Sequence, residues 1–414
     1  MKTKLSLLIN NSNFKDLILI VAIFLNLILI IIKFNGSFYS YYGADYLAYW
    51  SAGKIADQKG YSEIYDLNNL RSVQTQELRS LNLLEKTGDS STPILPVAYF
   101  SFFILPFQIL SKFELICSYW VWTILNLIIL VCYLVYFLRS MITESGAVNN
   151  GLKLLIVIMI SYPVLVNFII GQVEVLLVVC AGEFIRNAIR KKTILSGLWL
   201  GGLLVKPQLL ILIIPIILMM HNWKVLLGFI GSSGIILMTS LILSGFSGTK
   251  DLINLWIGYS GDIVTSHPDA MINWRMVGLN FNSILNTSLG WCITGLGMIL
   301  TVLALYILIK KFQPIGSSSW VIVMLGVFSA TLAITWHSHQ HMAMVLLPFL
   351  VYGILNKLLS EKILLLWAIV TPVVMFGMAI IGLSTEFLDM VIAFSGFALN
   401  LVIFSSIIYT TAKK

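Results

Sequence analysis

The stretch "LICSYWVWTILNLIILVCYLVYFL" (115–138) decides the fold class of this chain. It contains no charged residue and no proline, and as a helix it is long enough to cross the ~30 Å hydrocarbon core of a bilayer. Similar apolar runs recur from Leu17 almost to the C-terminus, so that 58% of the 414 residues are hydrophobic and only 11% are charged. Because these runs lack the alternation of barrel strands, the pattern predicts an all-α polytopic membrane protein.

The lengths of the apolar runs predict about twelve transmembrane helices in a single integral membrane domain over residues 1–414. We place them at 17–33, 115–138, 154–170, 172–188, 193–206, 208–220, 225–244, 291–309, 320–336, 342–358, 363–383 and 390–409. The first run lacks a small-residue cleavage site, so we interpret it as a retained helix.

One further apolar segment, "STPILPVAYFSFFILPFQIL" (91–110), is short and interrupted by prolines. Counting it as a span would invert every later loop, and we therefore interpret it as re-entrant or interfacial. Short loops rich in lysine and arginine then fall on the side of both termini, which the positive-inside rule places in the cytoplasm. The formal charge of +8 thus reports topology, and we expect no nucleic-acid partner.

Two long polar segments, at about 34–114 and 245–290, face outward in this topology and must hold the chemistry. The first is rich in tyrosine and tryptophan, and "QTQELRSLNLLEK" (74–86) is typical of an amphipathic interfacial helix. Within it, "GADYLAYWSAGK" (43–54) places Asp45 between Gly43 and the aromatic residues Tyr46 and Trp50. These two aromatic residues are candidates for substrate contact.

Asp45 has two interpretations. It is either a solvated loop acid or helix cap, or a general base at the membrane boundary, where partial burial raises a carboxyl pKa toward working pH.

The segment "GLLVKPQLL" (202–210) places Lys206, Pro207 and Gln208 between two short apolar stretches. The proline predicts a helix break, and a lysine beside the break is placed to meet a phosphate. The alternative is a lysine that snorkels from a helix end.

Two turns on the outer side carry further polar side chains. "IIGQVEVLL" (169–177) presents Gln172 and Glu174, and Gln172 is either an interhelical hydrogen-bonding group or a ligand contact. "TWHSHQHMAMVLLP" (335–348) presents His337, His339 and His341. Residues at i and i+2 of a helix point to different faces, so we expect no metal site there and favour one histidine as a donor to a phosphate or sugar.

The second outer segment contains "MINWRMVGLN" (271–280), with Asn273 and Arg275. Arginine matches phosphate geometry, so Arg275 is either a lipid-phosphate contact or part of a structural salt bridge. By contrast, Glu183 and Arg186 have the spacing of a helix ion pair, and we assign them no function.

Several motifs, in order along most of the chain, resemble glycosyltransferase family 87. They are "ADYLAYWSAG" (44–53), "GYSEIYD" (60–66), "YWVWTILNLIIL" (119–130), "GQVEVLLVV" (171–179), "LSGLWLGGLLVKPQLLILIIP" (195–215), "NWRMVGL" (273–279) and "HMAMVLLP" (341–348). The family is similar to polyprenyl-phosphate-mannose-dependent α-mannosyltransferases of GT-C architecture.

The resemblance implies transfer of a hexose, with mannose as the expected sugar, from a polyprenyl-phosphate-linked donor to a lipid or glycan acceptor, with inversion. Asp45 would be the general base. Lys206 is then the first candidate for the donor phosphate, followed by Arg275, His341 and His339. Gln172, Gln208, Asn273, Tyr46 and Trp50 are the expected substrate contacts. No cofactor is expected, and a divalent metal is not favoured.

Two rival functions fit parts of the pattern. A secondary transporter has many spans and a broken segment such as the one at Lys206, but it predicts internal two-fold symmetry and short loops. A lipid flippase would tolerate Asp45→Asn, whereas a transferase would not.

Overall fold

The computed structural model describes residues 20–28, 43–82, 94–145, 151–261, 267–310, 314–381 and 385–412. Every regular element in this part of the chain is a helix, which confirms the all-α class. The helices of the N-terminal half are α1 (20–28), α2 (Ala44–Lys59), α3 (Leu67–Ser80), α4 (Leu105–Leu110), α5 (Leu115–Ser145), α6 (Gly151–Met159), α7 (Tyr162–Ile170), α8 (Glu174–Ile189) and α9 (Thr193–Gly201). Those of the C-terminal half are α10 (Ile213–Met219), α11 (Trp223–Gly261), α12 (Trp274–Leu285), α13 (Gly290–Lys310), α14 (Ser318–Ile334), α15 (Leu347–Leu355), α16 (Lys362–Ile381) and α17 (Thr385–Ala412).

Four stretches of the described helices are long and apolar enough to cross a membrane, and a fifth span results if the bent pair α6 and α7 is counted as one. The four stretches are Leu115–Thr143, Trp223–Gly258, Gly290–Lys310 and Asp389–Ile408. Several other apolar helices are shorter, because breaks divide the apolar runs from which spans were predicted. The chain is therefore a membrane protein, while the number of twelve crossings stays a prediction.

The span predicted at 154–170 is not one straight helix. α6 and α7 meet at an angle of 50°. Ser161 between them has an extended backbone, and Pro163 stands in the first turn of α7. A proline is tolerated in a first turn because the N–H that it lacks has no intrahelical acceptor there.

The helix break predicted at Lys206 and Pro207 is confirmed. Lys206 has φ −124° and ψ 83°, and single 3₁₀ turns lie on either side, at Gly202–Val205 and Pro207–Leu210. Steric contact with the proline ring disfavours the helical region for the preceding residue. The break therefore presents the Lys206 side chain between two short helices.

The second long segment, predicted to begin at 245, starts at a kink within a helix, and its position outside the membrane stays a prediction. α11 kinks at Gly245, which has φ 67°, and then continues to Gly261. Positive φ is readily adopted by glycine, so the chain bends at this residue and resumes its helix. The region 245–290 is thus largely helical where it is described, with α12 as its second helix.

The amphipathic helix of the first long loop starts earlier than predicted. α3 begins at Leu67 because Asp66 caps it, with one carboxylate oxygen accepting from Asn68 N at 2.7 Å, and it ends at Ser80. The predicted range 74–86 missed this cap, and its residues 83–86 lie outside the described part of the chain.

The first loop folds as a packed layer with its own apolar cluster. α2 buries Leu47 and Ile55 in a cluster that also contains Leu70 and Phe107. α2 and α4 approach so closely at Gly53 that an added Cβ would lie 2.2 Å from the Phe107 carbonyl oxygen. The short apolar helical stretch Ser101–Leu110 thus packs against α2, and its re-entrant character stays a prediction.

Candidate active site

A cavity of about 910 Å³ lies where α2, the segment after residue 94, the Lys206 break and the turn after α14 meet. Seven of the ten candidate site residues line it: Asp45, Gln172, Lys206, Gln208, Arg275, His339 and His341. These seven residues come from five separate parts of the sequence and are brought to one surface. This is the size and composition of a ligand cavity that has a few convergent polar groups.

Asp45 stands in the first turn of α2 and is half-buried. The start of α2 is fixed by a hydrogen bond from Gly43 N to Ile169 O, 2.6 Å long. Burial raises the pKa of Asp45 above its usual range, while the hydrogen bond from Gln172 and the charges of Lys206 and His267 act in the opposite direction. A carboxylate with a raised pKa is suited to accept a proton from a hydroxyl group.

Gln172 connects Asp45 with the rest of the site. Its Nε2 donates to Asp45 Oδ2 at 2.5 Å, and its Oε1 accepts from Tyr49 at 2.8 Å and from Lys206 Nζ at 3.3 Å. The preceding Gly171 has φ 76°, and a Cβ there would lie 2.6 Å from Cβ of Tyr46. Gln172 is therefore both an interhelical hydrogen-bonding group and a cavity-lining residue.

Lys206 is buried, with 4% of its surface exposed, so it does not snorkel. Its Nζ donates to Oε1 of Glu174, which is fully buried at the start of α8. The same carboxylate oxygen lies 3.5 Å from His341 Nε2. The ion pair compensates the lysine charge and holds the amine beside both Gln172 and His341.

Arg275 is the second residue of α12 and is 3% exposed. Its guanidinium lies 4.4 Å from the centre of the Trp336 ring, and Nη1 donates to Trp336 O at 3.3 Å. Its Nε has no hydrogen-bond partner, and no carboxylate of the described residues is within ion-pair distance. A buried cation that lines a cavity and has no carboxylate partner among the described residues is suited to bind an anion.

The three histidines all line the cavity, contrary to the expectation that they diverge. The rings of His337 and His339 are 4.8 Å apart, and those of His339 and His341 are 5.7 Å apart. The chain from 335 to 339 is not helical, and in extended backbone residues two apart point the same way. Burial lowers the pKa of His337 well below its usual range, and His339, Lys206 and Arg275 lower it further, so this ring is neutral.

Three candidate substrate contacts do not line the cavity: Asn273, Tyr46 and Trp50. Asn273 caps α12 by accepting from Met276 N at 2.9 Å. The Tyr46 hydroxyl is 2.5 Å from Ser118 Oγ, and Trp50 Nε1 donates to Phe113 O at 3.0 Å. Buried polar atoms that already have protein partners support the fold, and the structure gives these three side chains that role.

The sequence did not single out several polar residues that line the cavity, among them Tyr49, Tyr99, His267 and Asp389. Tyr99 lies beside Tyr49, with the two hydroxyl oxygens 3.0 Å apart. Asp389 stands near the start of α17, beside the last predicted span. An acid at the end of an apolar run was the available signal for Asp389.

The described residues contain no group of three or more His, Cys, Asp or Glu side chains that could hold a metal ion. Metal independence stays a prediction.

The Glu183 and Arg186 ion pair is confirmed as a separate contact, with Arg186 Nε 2.7 and 2.9 Å from the two carboxylate oxygens.

The site combines one carboxylate of raised pKa with a buried cation and neutral hydrogen-bonding groups. Such a set can take a proton from a hydroxyl group while it stabilises negative charge on a second reactant.

Comparison with known proteins agrees with a group-transfer site. No curated protein matches the chain. The model of glycosyltransferase family 87 matches residues 98–351, a region that holds Lys206, Arg275 and the histidines but not Asp45. This match covers more than half of the 414 residues, and the chain belongs to glycosyltransferase family 87 as a membrane glycosyltransferase.

Proposed function

We propose that this protein transfers a hexose, with mannose as the first candidate, from a polyprenyl-phosphate donor to a lipid or glycan acceptor. The reaction takes place in the cavity of about 910 Å³ and inverts the anomeric carbon. The enzyme is then a hexosyltransferase of the GT-C type. The cavity opens on the extracytoplasmic side of the cell membrane, and both termini are cytoplasmic. The proposed reaction needs neither a nucleotide site nor a metal.

One observation carries this proposal: Asp45, Gln172 and Lys206 are joined by hydrogen bonds on the surface of a cavity that Arg275 also lines. A proton acceptor and cations are thereby presented to the same space. A sugar on a lipid phosphate needs both, because its acceptor loses a proton and its leaving group gains a negative charge.

Asp45 acts as the general base. The acceptor oxygen forms a bond to the anomeric carbon as the bond between that carbon and the phosphate oxygen breaks. The hydroxyl proton passes to Asp45, and the electron pair of the broken bond stays on the polyprenyl phosphate. Gln172 holds Oδ2 of the carboxylate at 2.5 Å, which leaves Oδ1 to face the acceptor.

The donor phosphate lies against Arg275, with Lys206, His341 and His339 beside it. The sequence favoured Lys206 as the first contact, but its charge is compensated by Glu174, whereas no carboxylate of the described residues pairs with Arg275. We therefore place Arg275 first. Gln208, which lines the same cavity, is a candidate for hydrogen bonds to sugar hydroxyls.

The test is the transfer of labelled sugar from polyprenyl-phosphate-mannose in membranes that contain equal amounts of wild type, Asp45→Asn or Asp57→Asn. Asp57 is an exposed acid on the same helix and does not line the cavity, so it is a matched control. We expect Asp45→Asn to lose ~10²–10⁴-fold of the activity and Asp57→Asn to keep it.

Two results would contradict the proposal. Equal transfer by wild type and Asp45→Asn would remove Asp45 as the base. Label that is transferred from GDP-mannose but not from the lipid-linked donor, in membranes depleted of polyprenyl phosphate, would reject the donor class.

A further inference from the structure

Two aromatic side chains of the active-site cavity, Tyr99 and Trp256, have no role in the transfer step described above. Tyr99 lies in the segment that leads to α4, and Trp256 lies on α11 beyond the kink at Gly245. Both side chains line the cavity and are half-buried, so that part of each ring faces the open space. We refer to these two residues as the aromatic wall.

Protein contacts fix the two rings of the aromatic wall. Trp256 Nε1 donates to Ala98 O at 2.9 Å, and the Trp256 ring meets the Phe100 ring edge to face, with centres 5.3 Å apart. The Tyr99 ring packs on Phe103 at 4.9 Å between centres. Because the indole N–H is already bonded to the backbone, Trp256 presents apolar ring surface to the cavity.

A row of polar contacts connects the aromatic wall with the cationic part of the site. His341 Nε2 lies 3.5 Å from Lys206 Nζ, which donates to Gln172 Oε1 at 3.3 Å. The same amide oxygen accepts from Tyr49 at 2.8 Å, and the hydroxyl oxygens of Tyr49 and Tyr99 are 3.0 Å apart. The row thus has a histidine at one end, Tyr99 at the other end and Gln172 in the middle.

Asp45 is bonded to the middle of this row, because Gln172 Nε2 donates to its carboxylate. In a transfer with inversion, the acceptor oxygen approaches the anomeric carbon from the face opposite the leaving group. The leaving phosphate is placed against Arg275 with His341 beside it. The acceptor is therefore expected at the other end of the row, where the aromatic wall lies and where Asp45 is within reach.

The chemistry of the aromatic wall matches a sugar ring. A sugar has C–H groups on its faces and hydroxyl groups around its edge, and an indole face can contact the former. The Tyr99 hydroxyl and the Gln208 amide line the same cavity, and both groups can donate and accept hydrogen bonds. An acyl chain would use only the ring surface and none of these polar groups.

We propose that Tyr99 and Trp256 form the acceptor subsite, and that the acceptor group held there is a sugar ring of a glycan or glycolipid. This assignment rests on the proposed transferase function. Trp256 contacts the face of the sugar, while Tyr99 and Gln208 bond to its hydroxyl groups and orient one hydroxyl toward Asp45. The hydroxyl of a lipid without a sugar would lack most of these contacts.

The chemical class of the acceptor is tested with the purified full chain, labelled polyprenyl-phosphate-mannose and a detergent extract of the cell's own membranes as the source of acceptor. One half of the extract is first oxidised with periodate, which is then quenched before the donor is added. Periodate cleaves the vicinal diols of sugars and leaves a lipid with an isolated hydroxyl group intact. We expect the oxidised extract to lose most of its capacity to accept label.

The two residues are tested by dilution of the untreated extract. Trp256→Ala should raise the amount of extract needed for half-maximal rate by about tenfold, because the apolar contact with the sugar is lost. Tyr99→Phe should raise it by roughly 2- to 10-fold, the range of one hydrogen bond. This second variant keeps the ring and tests the subsite even if Trp256→Ala does not fold. The donor concentration at half-maximal rate should stay unchanged in both.

Trp223→Ala is the matched control, because Trp223 is the first residue of the same helix, is 59% exposed and does not line the cavity. Full transfer into the oxidised extract would overturn the sugar acceptor. An unchanged acceptor dependence in both variants, or an equal change in the control, would overturn the subsite while leaving the transferase function in place. Failure of wild type to transfer label into the untreated extract would instead overturn the proposed function, and this assignment with it.

Discussion

Lys206 and Glu174 form an ion pair inside the helix bundle, with side chains that are 5% and 0% exposed. Glu174 stands at the start of α8 and Lys206 at the break after α9, and they meet although 32 positions separate them. Removal of one partner leaves an uncompensated charge in a buried site, which typically costs about 3–5 kcal/mol. This pair therefore affects both the stability of the fold and the chemistry of the cavity.

Lys206→Met should unfold at a clearly lower temperature than wild type, because Glu174 is left buried without its partner. The double variant Lys206→Met/Glu174→Gln should recover most of the thermal stability, since no unpaired charge remains. It should not recover sugar transfer if Lys206 contacts the donor phosphate. Thermal unfolding and transfer assays on the same preparations measure the two effects, and recovery of both would restrict Lys206 to a structural role.

Gln172→Met should shift the acidic limb of the pH profile of transfer to higher pH. The hydrogen bond from Gln172 lowers the pKa of Asp45, which burial raises, so its loss leaves the carboxyl with a still higher pKa. A general base works in its deprotonated form, so the variant should reach half of its full activity at a higher pH than wild type. Tyr49→Phe removes another bond to Gln172 and should leave the limb in place. An unchanged limb in Gln172→Met would contradict the assignment of Asp45.

Arg275→Lys should raise the donor concentration at half-maximal rate by roughly 10- to 100-fold, the range expected for a hydrogen bond to a charged group. Lysine keeps the charge but cannot stack its head group on Trp336 or offer a guanidinium fork. Trp336→Phe keeps an aromatic face and serves as the control. Steady-state kinetics over a series of donor concentrations measures the change, and an unaltered donor dependence would remove Arg275 from the phosphate site.

Asn273→Ala should lower stability by about 1 kcal/mol, the usual cost of a lost helix cap, and leave the donor dependence unchanged. The side chain caps α12 and donates to Thr335 O at 2.9 Å. Thermal unfolding and steady-state kinetics separate the two roles. A higher donor concentration at half-maximal rate, with unchanged stability, would restore Asn273 as a substrate contact.

Part of the site could be predicted because polar groups are costly in an apolar chain. That argument selected Asp45, Gln172, Lys206 and Arg275, and the structure brings all four to one cavity. The same argument could not separate Asn273 from them, because a cap and a ligand contact use the same amide group. Only the position of α12 relative to the cavity distinguishes the two roles.

Other features depend on contacts that no local pattern encodes. Glu174 was seen as a polar residue at a turn, but its partner Lys206 is brought to it only by tertiary packing. The three histidines were expected to diverge because a helix was assumed, and the extended backbone at His339 brings their rings together. The kink at Gly245 was missed because one glycine in an apolar run is also compatible with a straight helix.

The hydrogen bond between Gly43 N and Ile169 O sets the angular register of α2. It anchors the helix at one residue, and Asp45 follows two positions later. A single residue inserted between Gly43 and Asp45 would rotate the carboxylate by about 100° around the helix axis and advance it by about 1.5 Å. Every site residue would still be present in such a protein, yet the carboxylate would no longer meet Gln172. The spacing between anchor and acid is thus a requirement that a comparison of residue types alone would overlook.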